Sequence, residues 1–280
     1  MRGSAFCPAH VTGFFGVEEC ESAADTGSVG AGFSVLRGVT TNVEDAGQDM
    51  VQAGMAQHVL EEFRRATGVR TPVHVSHEMG VPAGYGLGSS GALALSTLYA
   101  LDMALETRIP KERLAMMAHV SEVRRSTGLG DVLAAYHGGF EIRVRAGGPG
   151  RGMIRRLEAG NPAVVIACLS PLSTKDFLRD RMGMMNGMGS RMVAELDRDP
   201  DTGTFQRLSM EFARKAGTIT PQMEAAAGAL ERAGYPCGVA MLGGTIFSMV
   251  PREEAGGVTE ALRPYGPMLT GIDEAGARAV

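Results

Sequence analysis

The sequence predicts an α+β protein of two modest domains, on three observations. The first forty residues alternate short apolar runs with glycine and threonine, as strands and hairpins do. Beyond them, helical and strand periodicities follow one another through the rest of the chain. Between the halves, residues 146–152 hold four glycines and a proline in seven positions, which predicts a boundary and domains of 1–150 and 151–280. A chain of 280 residues suits that division, being long for one ordinary domain and short for two large ones.

Apolar runs at 4–7, 11–17 and 32–39 open the chain in a sheet. From Asp49 onward, Met50, Met55, Val59, Leu60 and Phe63 fall near one helical face, and Gly68 stands where a C-terminal cap belongs. Val73, Val75 and Met79 alternate as a strand. After a loop at 80–88, residues 89–106 are rich in Ala and Leu, the composition of a buried helix that begins directly at glycines. Pro110 fits a first helical turn, and 111–125 carry a second helix with Leu114, Met117, Ala118 and Ser121 on one side. A glycine-rich turn at 128–130 follows, and 140–144 alternate as a strand with Glu141 and Arg143 on one face.

In the second half the pattern predicts a strand at 163–169, a helical stretch at 175–197, and helices at 204–216 and 221–233. A hairpin at 238–250, a helix at 252–263 and a strand at 268–272 complete an order that resembles a split βαβ layout. Met182, Met184, Met185, Met188 and Met192 cluster in the helical stretch, as adaptable packing or as a flap over a cleft.

Hydrophobic residues make up 44% and charged residues 21%, the balance of a folded globular chain. A net charge of -4 without clustered Lys or Arg excludes a nucleic-acid partner and leaves a small molecule. Cys7, Cys20, Cys168 and Cys237 are far apart and form no Cys-x-x-Cys pair, so neither a zinc site nor a disulfide framework is expected. No apolar run approaches the roughly 20 residues that span a bilayer, and the start lacks a secretory pattern. The expectation is a cytoplasmic protein with no membrane association, and a homodimer by default.

The segment Pro82-Ala83-Gly84-Tyr85-Gly86-Leu87-Gly88-Ser89-Ser90-Gly91 combines absent side chains, two hydroxyls and an immediate helix start. Backbone N–H groups there can converge on phosphate oxygens, and the helix dipole adds about half a positive charge. A tight turn from strand to helix is the plain alternative. Gly86, Gly88 and Gly91 satisfy Gly-x-Gly-x-x-Gly, but the preceding strand ends about seven residues too early for a dinucleotide fold, whose second strand is replaced by the helix at 111–125. The absence of Gly-Lys-Ser/Thr excludes a P-loop, and the absence of His-Arg-Asp and Asp-Phe-Gly excludes a protein kinase.

Pro-x-x-x-Gly-Leu-Gly-Ser-Ser opening a buried helix resembles the second motif of the GHMP kinases. Pro8-Ala9-His10-Val11-Thr12-Gly13 resembles the first motif, and 240–247 with Gly243-Gly244 the third, although Ala240, Met241 and Leu242 stand where further glycine is usual. Within that family, the strings at 6–15, 27–32 and 126–132 are similar to those of the archaeal pantoate kinases, and the resemblance extends over nearly the whole chain. It implies a two-domain GHMP-kinase fold, with a ribosomal protein S5 domain 2-like N-terminal domain and a ferredoxin-like C-terminal domain. It also implies ATP and Mg²⁺ as cofactors, and transfer of phosphate to the primary hydroxyl of pantoate on a route to coenzyme A. A kinase of the mevalonate or homoserine class, or a silent nucleotide-binding regulator, stays open beside it.

Phosphoryl transfer requires Mg²⁺ on the phosphates, a positioned hydroxyl and charge stabilisation. The family pattern of an acidic helix residue followed by Gly-x-Gly-Asp matches Glu122 and Gly128-Leu129-Gly130-Asp131. The match implies that Ser90 and Glu122 hold Mg²⁺ while Asp131 orients or deprotonates the substrate hydroxyl. By their residue types alone, Glu122 is as well a helix carboxylate paired with Arg124 or Arg125, and Asp131 a residue favoured by a helix dipole. His119, three residues before Glu122, shares its helical face and is a substrate candidate. Arg143 offers a planar guanidinium to a substrate carboxylate. Ser28, in a glycine-rich loop, and Thr174, after a predicted strand, offer hydroxyls to substrate oxygens. A structural histidine, an exposed strand face and ordinary loop polarity are the plain alternatives for these four.

Overall fold

The computed structural model describes residues 1–171 and 182–280. The early apolar runs merge into two long strands, β1 (Arg2–Glu18) and β2 (Gly27–Asp45), followed by α1 (Met55–Thr67), β3 (Val73–Met79), α2 (Ser89–Leu105), α3 (Lys111–Arg125), α4 (Asp131–His137), β4 (Phe140–Arg145) and β5 (Met153–Leu157). The second half contributes β6 (Ala163–Ser170), α5 (Met182–Arg198), α6 (Thr202–Ala216), α7 (Pro221–Arg232), β7 (Gly238–Ala240), β8 (Gly244–Val250), α8 (Ala255–Leu262), β9 (Met268–Gly271) and β10 (Arg278–Ala279).

The first sheet is antiparallel in the order β10-β1-β2-β4-β5, with β3 paired to the far half of β2. Strand β2 therefore changes partner along its length: Gly30 to Phe33 face β4, and Val39 to Asp45 face β3. β-bulges between Pro8 and Ala9 and between Thr12 and Phe14 bracket the first motif on β1. The second sheet, in the order β7-β8-β6-β9, is also antiparallel.

The glycine-rich residues 147–152 form the turn between β4 and β5, so the expected boundary at 150 falls inside the first sheet. Neither β5 nor β10 is legible as a strand: β5 keeps its side chains largely in solvent, and β10 has two residues, too few to show alternation. Met50 lies outside α1 and bridges to His74, while Gly68 caps that helix as predicted. Of the helical stretch expected at 175–197, residues 175–181 lie outside the described residues.

Helix α2 is apolar nearly all round and is accordingly buried among α1, α3 and the first sheet. On the other face of that sheet, Phe14, Phe33 and Phe140 meet Phe205 of α6 and Phe247 of β8, with ring centroids 5.1 to 6.0 Å apart. This aromatic cluster joins the two sheets through one continuous core. Met185, Met188 and Met192 are buried in the same core, so this part of the methionine cluster is packing, and Asn186 Oδ1 accepts the N–H of Val17 on β1. No helix among the described residues is long and apolar enough to cross a membrane.

Candidate active site

A cleft of about 950 Å³ opens at the N-terminal end of α2. Gly84, Gly86, Leu87, Gly88, Ser89 and Ser90 line it; Pro82 and Gly91 do not, and Gly91 packs against Val132 inside the helix layer. Gly88 is the residue before α2 and takes a left-handed backbone, φ 58°, which disfavours any side chain. A Cβ there would also stand 3.3 Å from the Asp131 side chain. No side chain caps α2, so its first N–H groups are left for a ligand in the cleft.

The third motif braces this loop from the second sheet. Thr245 donates to the carbonyl of Tyr85 at 2.7 Å, and a Cβ at Gly243 would overlap the Tyr85 backbone at 2.0 Å, so glycine is required by close approach. Met241 and Leu242, where more glycine was expected, line the cleft.

Glu122, in the last turn of α3, is buried. Its Oε1 accepts hydrogen bonds from Ser90 and Thr127, each at 2.7 Å. Its partners are thus hydroxyls; Arg124 instead reaches Glu62 at 3.9 Å. Burial pushes the Glu122 carboxyl up to about 7, the hydroxyl hydrogen bonds working against that rise and the charge of Asp131 with it.

Asp131 opens α4 with Oδ1 2.9 Å from Nδ1 of His10 and 3.5 Å from Oγ1 of Thr12. Burial raises its carboxyl, but the hydrogen bond from His10 and the charges of His10 and Arg143 prevail and hold it below the usual range. The two carboxylates converge on Gly128, where a Cβ would lie 2.5 Å from Glu122 Oε2 and 3.4 Å from Asp131 Oδ2. An uncapped helix start, a buried carboxylate ringed by hydroxyls and a second, ionised carboxylate are together equipped to bind phosphates and a hard cation and to orient a hydroxyl.

The remaining candidates have different outcomes. Ser28 lines the cleft, but it stands near the start of strand β2 and not in the expected loop. His119 does face inward on α3, but its Nε2 is 2.9 Å from the carbonyl of Thr26 and it is buried behind that loop, supporting the cleft wall without reaching the cleft. Arg143 is wholly buried and does not present its guanidinium to a ligand: Nη1 donates to Glu141 Oε1 at 2.6 Å, Nη2 reaches Thr12 at 3.4 Å, and Nε has no hydrogen-bond partner among the described residues. Thr174 lies outside the described residues. Sequence reasoning missed His10, Thr12, Thr127 and Glu141 as site residues. For His10 and Thr12 a signal existed, since polar residues at i and i+2 of an otherwise apolar strand share one face.

Residues 53–139 match the family model described as GHMP kinases N terminal domain. The chain is 30% identical over 273 residues to the pantoate kinase of Thermococcus kodakarensis, covering 90% of this chain and 88% of that protein. It is 30% identical over 258 residues to the pantoate kinase of Methanocaldococcus jannaschii, covering 89% and 93%. Among solved structures, a phosphotransferase related to the CoA biosynthesis pathway superposes with a TM-score of 0.89 at 27% identity, over 100% of this chain and 99% of that one. The Methanococcus jannaschii mevalonate kinase, 11% identical with a TM-score of 0.72 over 100% and 98% of the two chains, shares the fold. The expected α+β GHMP-kinase fold is therefore the observed one, and the chain belongs to the GHMP kinase family of ATP-dependent phosphotransferases, on its pantoate kinase branch.

Proposed function

We propose that this protein transfers the γ-phosphoryl group of ATP to the primary hydroxyl of pantoate, forming 4-phosphopantoate and ADP on a route to coenzyme A. The choice of pantoate is supported by 30% identity to two pantoate kinases over most of the chain. The chemistry is supported above all by the convergence of Glu122 and Asp131 on the face of Gly128, beside the uncapped start of α2.

In this reading the phosphates lie on the backbone N–H groups of 86–90. Ser90 Oγ and the Glu122 carboxylate would hold Mg²⁺, which suits hard oxygen donors and, when bound, would offset the negative charge of the phosphates. Asp131 accepts the hydrogen of the substrate hydroxyl and so points an oxygen lone pair at the γ-phosphorus. As the new O–P bond forms, the bond from the γ-phosphorus to the bridging oxygen breaks, ADP leaves with that electron pair, and the hydroxyl proton passes to Asp131. Ser28 and Thr12 offer hydroxyls to the acid end of the substrate, with the Arg143 charge behind Thr12.

The test is ADP release with pantoate, mevalonate and homoserine in turn, with the product identified by phosphorus NMR. Phosphorylation of the pantoate primary hydroxyl is expected. Faster turnover of either other substrate would reassign the acceptor, and no ADP release with any of them would remove the kinase reading.

A further inference from the structure

We propose that His10 is the positioning residue of the acceptor site: an imidazolium clamped between Asp131 and Glu141 that keeps Asp131 ionised and aimed at the substrate hydroxyl. The inference rests on the role given to Asp131 above.

His10 is fully buried on β1, and each of its ring nitrogens faces a carboxylate. Nδ1 is 2.9 Å from Asp131 Oδ1, and Nε2 is 3.3 and 3.4 Å from the two oxygens of Glu141. A neutral imidazole has one N–H and one lone pair, so it would turn a lone pair on one of two ionised carboxylates; only the doubly protonated ring donates to both. The charges agree. Asp131, Glu141 and Arg143 sum to one negative charge in a cluster buried except where Asp131 faces the cleft, and an imidazolium neutralises it. Protonating Glu141 instead would weaken its 2.6 Å hydrogen bond from Arg143 Nη1.

The groups facing the ring are Asp131 from α4, Glu141 and Arg143 from β4, and Thr12 Oγ1, 3.3 Å from Nδ1, on the ring's own strand. Burial lowers the imidazole's proton affinity, but the Glu141 charge and the hydrogen bonds with both carboxylates outweigh it and raise the pKa of His10 above its ordinary value.

The glycine-rich string at 27–32 makes room for this cluster. A Cβ at Gly32 would lie 2.5 Å from His10 Nε2, and one at Gly30 2.8 Å from Arg143 Nη2. Strand β2 thus presents bare backbone to both cations, where any larger residue would collide with them. An Asp131 held by a cation is a well-aimed but weak base, which suits a phosphoryl transfer whose acceptor proton leaves late.

The experiment combines ¹⁵N-histidine NMR of the whole wild-type protein with pH profiles of His10→Asn and Glu141→Gln. At pH 7.5 both His10 ring nitrogens should show protonated shifts. His10→Asn, which keeps an amide donor and loses the charge, should lower kcat about a hundredfold, as misplacement of a reacting group does. It should also move the acid limb of kcat/KM to higher pH, with KM for ATP little changed. In Glu141→Gln the imidazolium loses a counter-charge, so activity should fall on the alkaline side at lower pH than in wild type; this variant decides the kinetic arm if His10→Asn does not fold. A neutral His10 at pH 7.5, or limbs that do not move in a folded variant, overturns the inference. An inactive Asp131→Asn beside a fully active His10→Asn overturns it alone, whereas an active Asp131→Asn overturns the reading of Asp131 beneath it.

Discussion

Ser90 Oγ donates a 2.7 Å hydrogen bond to Glu122 Oε1, tying the first turn of α2 to the last turn of α3 across 32 residues of sequence. The hydroxyl lines the cleft, where its loss would remove one of the proposed Mg²⁺ ligands. A hydrogen bond to a charged group is worth about 1.5 to 3 kcal/mol, so Ser90→Ala should lower kcat/KM for MgATP roughly ten- to a hundredfold and, by taking a partner from the buried Glu122 carboxyl, lower thermal stability as well. Steady-state kinetics over a Mg²⁺ titration check this; unchanged turnover would take Ser90 out of the metal site.

Glu122 makes a pH-dependent contribution to stability. Its carboxyl is held near 7 in the fold against an ordinary 4.5, so the folded state favours the neutral acid. That contribution is complete below pH 4.5 and is lost as pH rises through about 7. Glu122→Gln keeps the neutral shape, and should therefore stabilise the metal-free, nucleotide-free protein at pH 8 by up to about 3 kcal/mol, the advantage vanishing near pH 4.5. Urea denaturation with EDTA at both pH values checks the sign.

Gly128 has a backbone that alanine can adopt, yet an added methyl would sit 2.5 Å from Glu122 Oε2, in the space shared by the two carboxylates. Gly128→Ala should leave the far-ultraviolet spectrum unchanged and lower kcat by about a hundredfold through displacement of the reacting groups. Wild-type turnover in this variant would show that nothing need occupy that space.

Arg143 and Glu141 form a buried pair, and removing Arg143 leaves the Glu141 charge facing His10 alone. Arg143→Met should cost about 3 to 5 kcal/mol of unfolding free energy, and Arg143→Met combined with Glu141→Leu should cost less than Arg143→Met alone. Denaturant titration of the double-mutant cycle checks it. Additive losses would mean that the two side chains do not act as a pair.

The elements whose local pattern matches their burial were legible: the apolar stripe of α1, the all-round apolar α2, and the glycine-to-helix junction at Ser89 and Ser90. Ser90, Glu122 and Asp131 follow from the resemblance to the GHMP kinase motifs, which carries chain-distant partners without showing their geometry. Arg143 illustrates the limit. Alternation along β4 placed it on one face with Glu141, but the same alternation holds whether that face looks to solvent or inward, and the choice is made by His10 and Thr12 of β1 and by Gly130, which lie against it. His10 and Glu141 meet across 131 residues, so no local window contains their contact. His119 lies on the predicted helical face, yet the loop bearing Thr26 covers it, a tertiary fact with no trace in helical spacing.

The pairing of β10 with β1 has a consequence for how the chain is made. Ala5 lies beside Ala279 and Phe6 beside Arg278, whose guanidinium rests over the Phe6 ring at 4.7 Å. The strand that carries His10 is synthesised well before residues 278–279, which fill its outer edge. Until those residues emerge, Ala5 and Phe6 offer unpaired backbone groups to any passing extended chain. A product stalled or cut shortly before Arg278 would keep that edge open, and self-association through it would compete with folding.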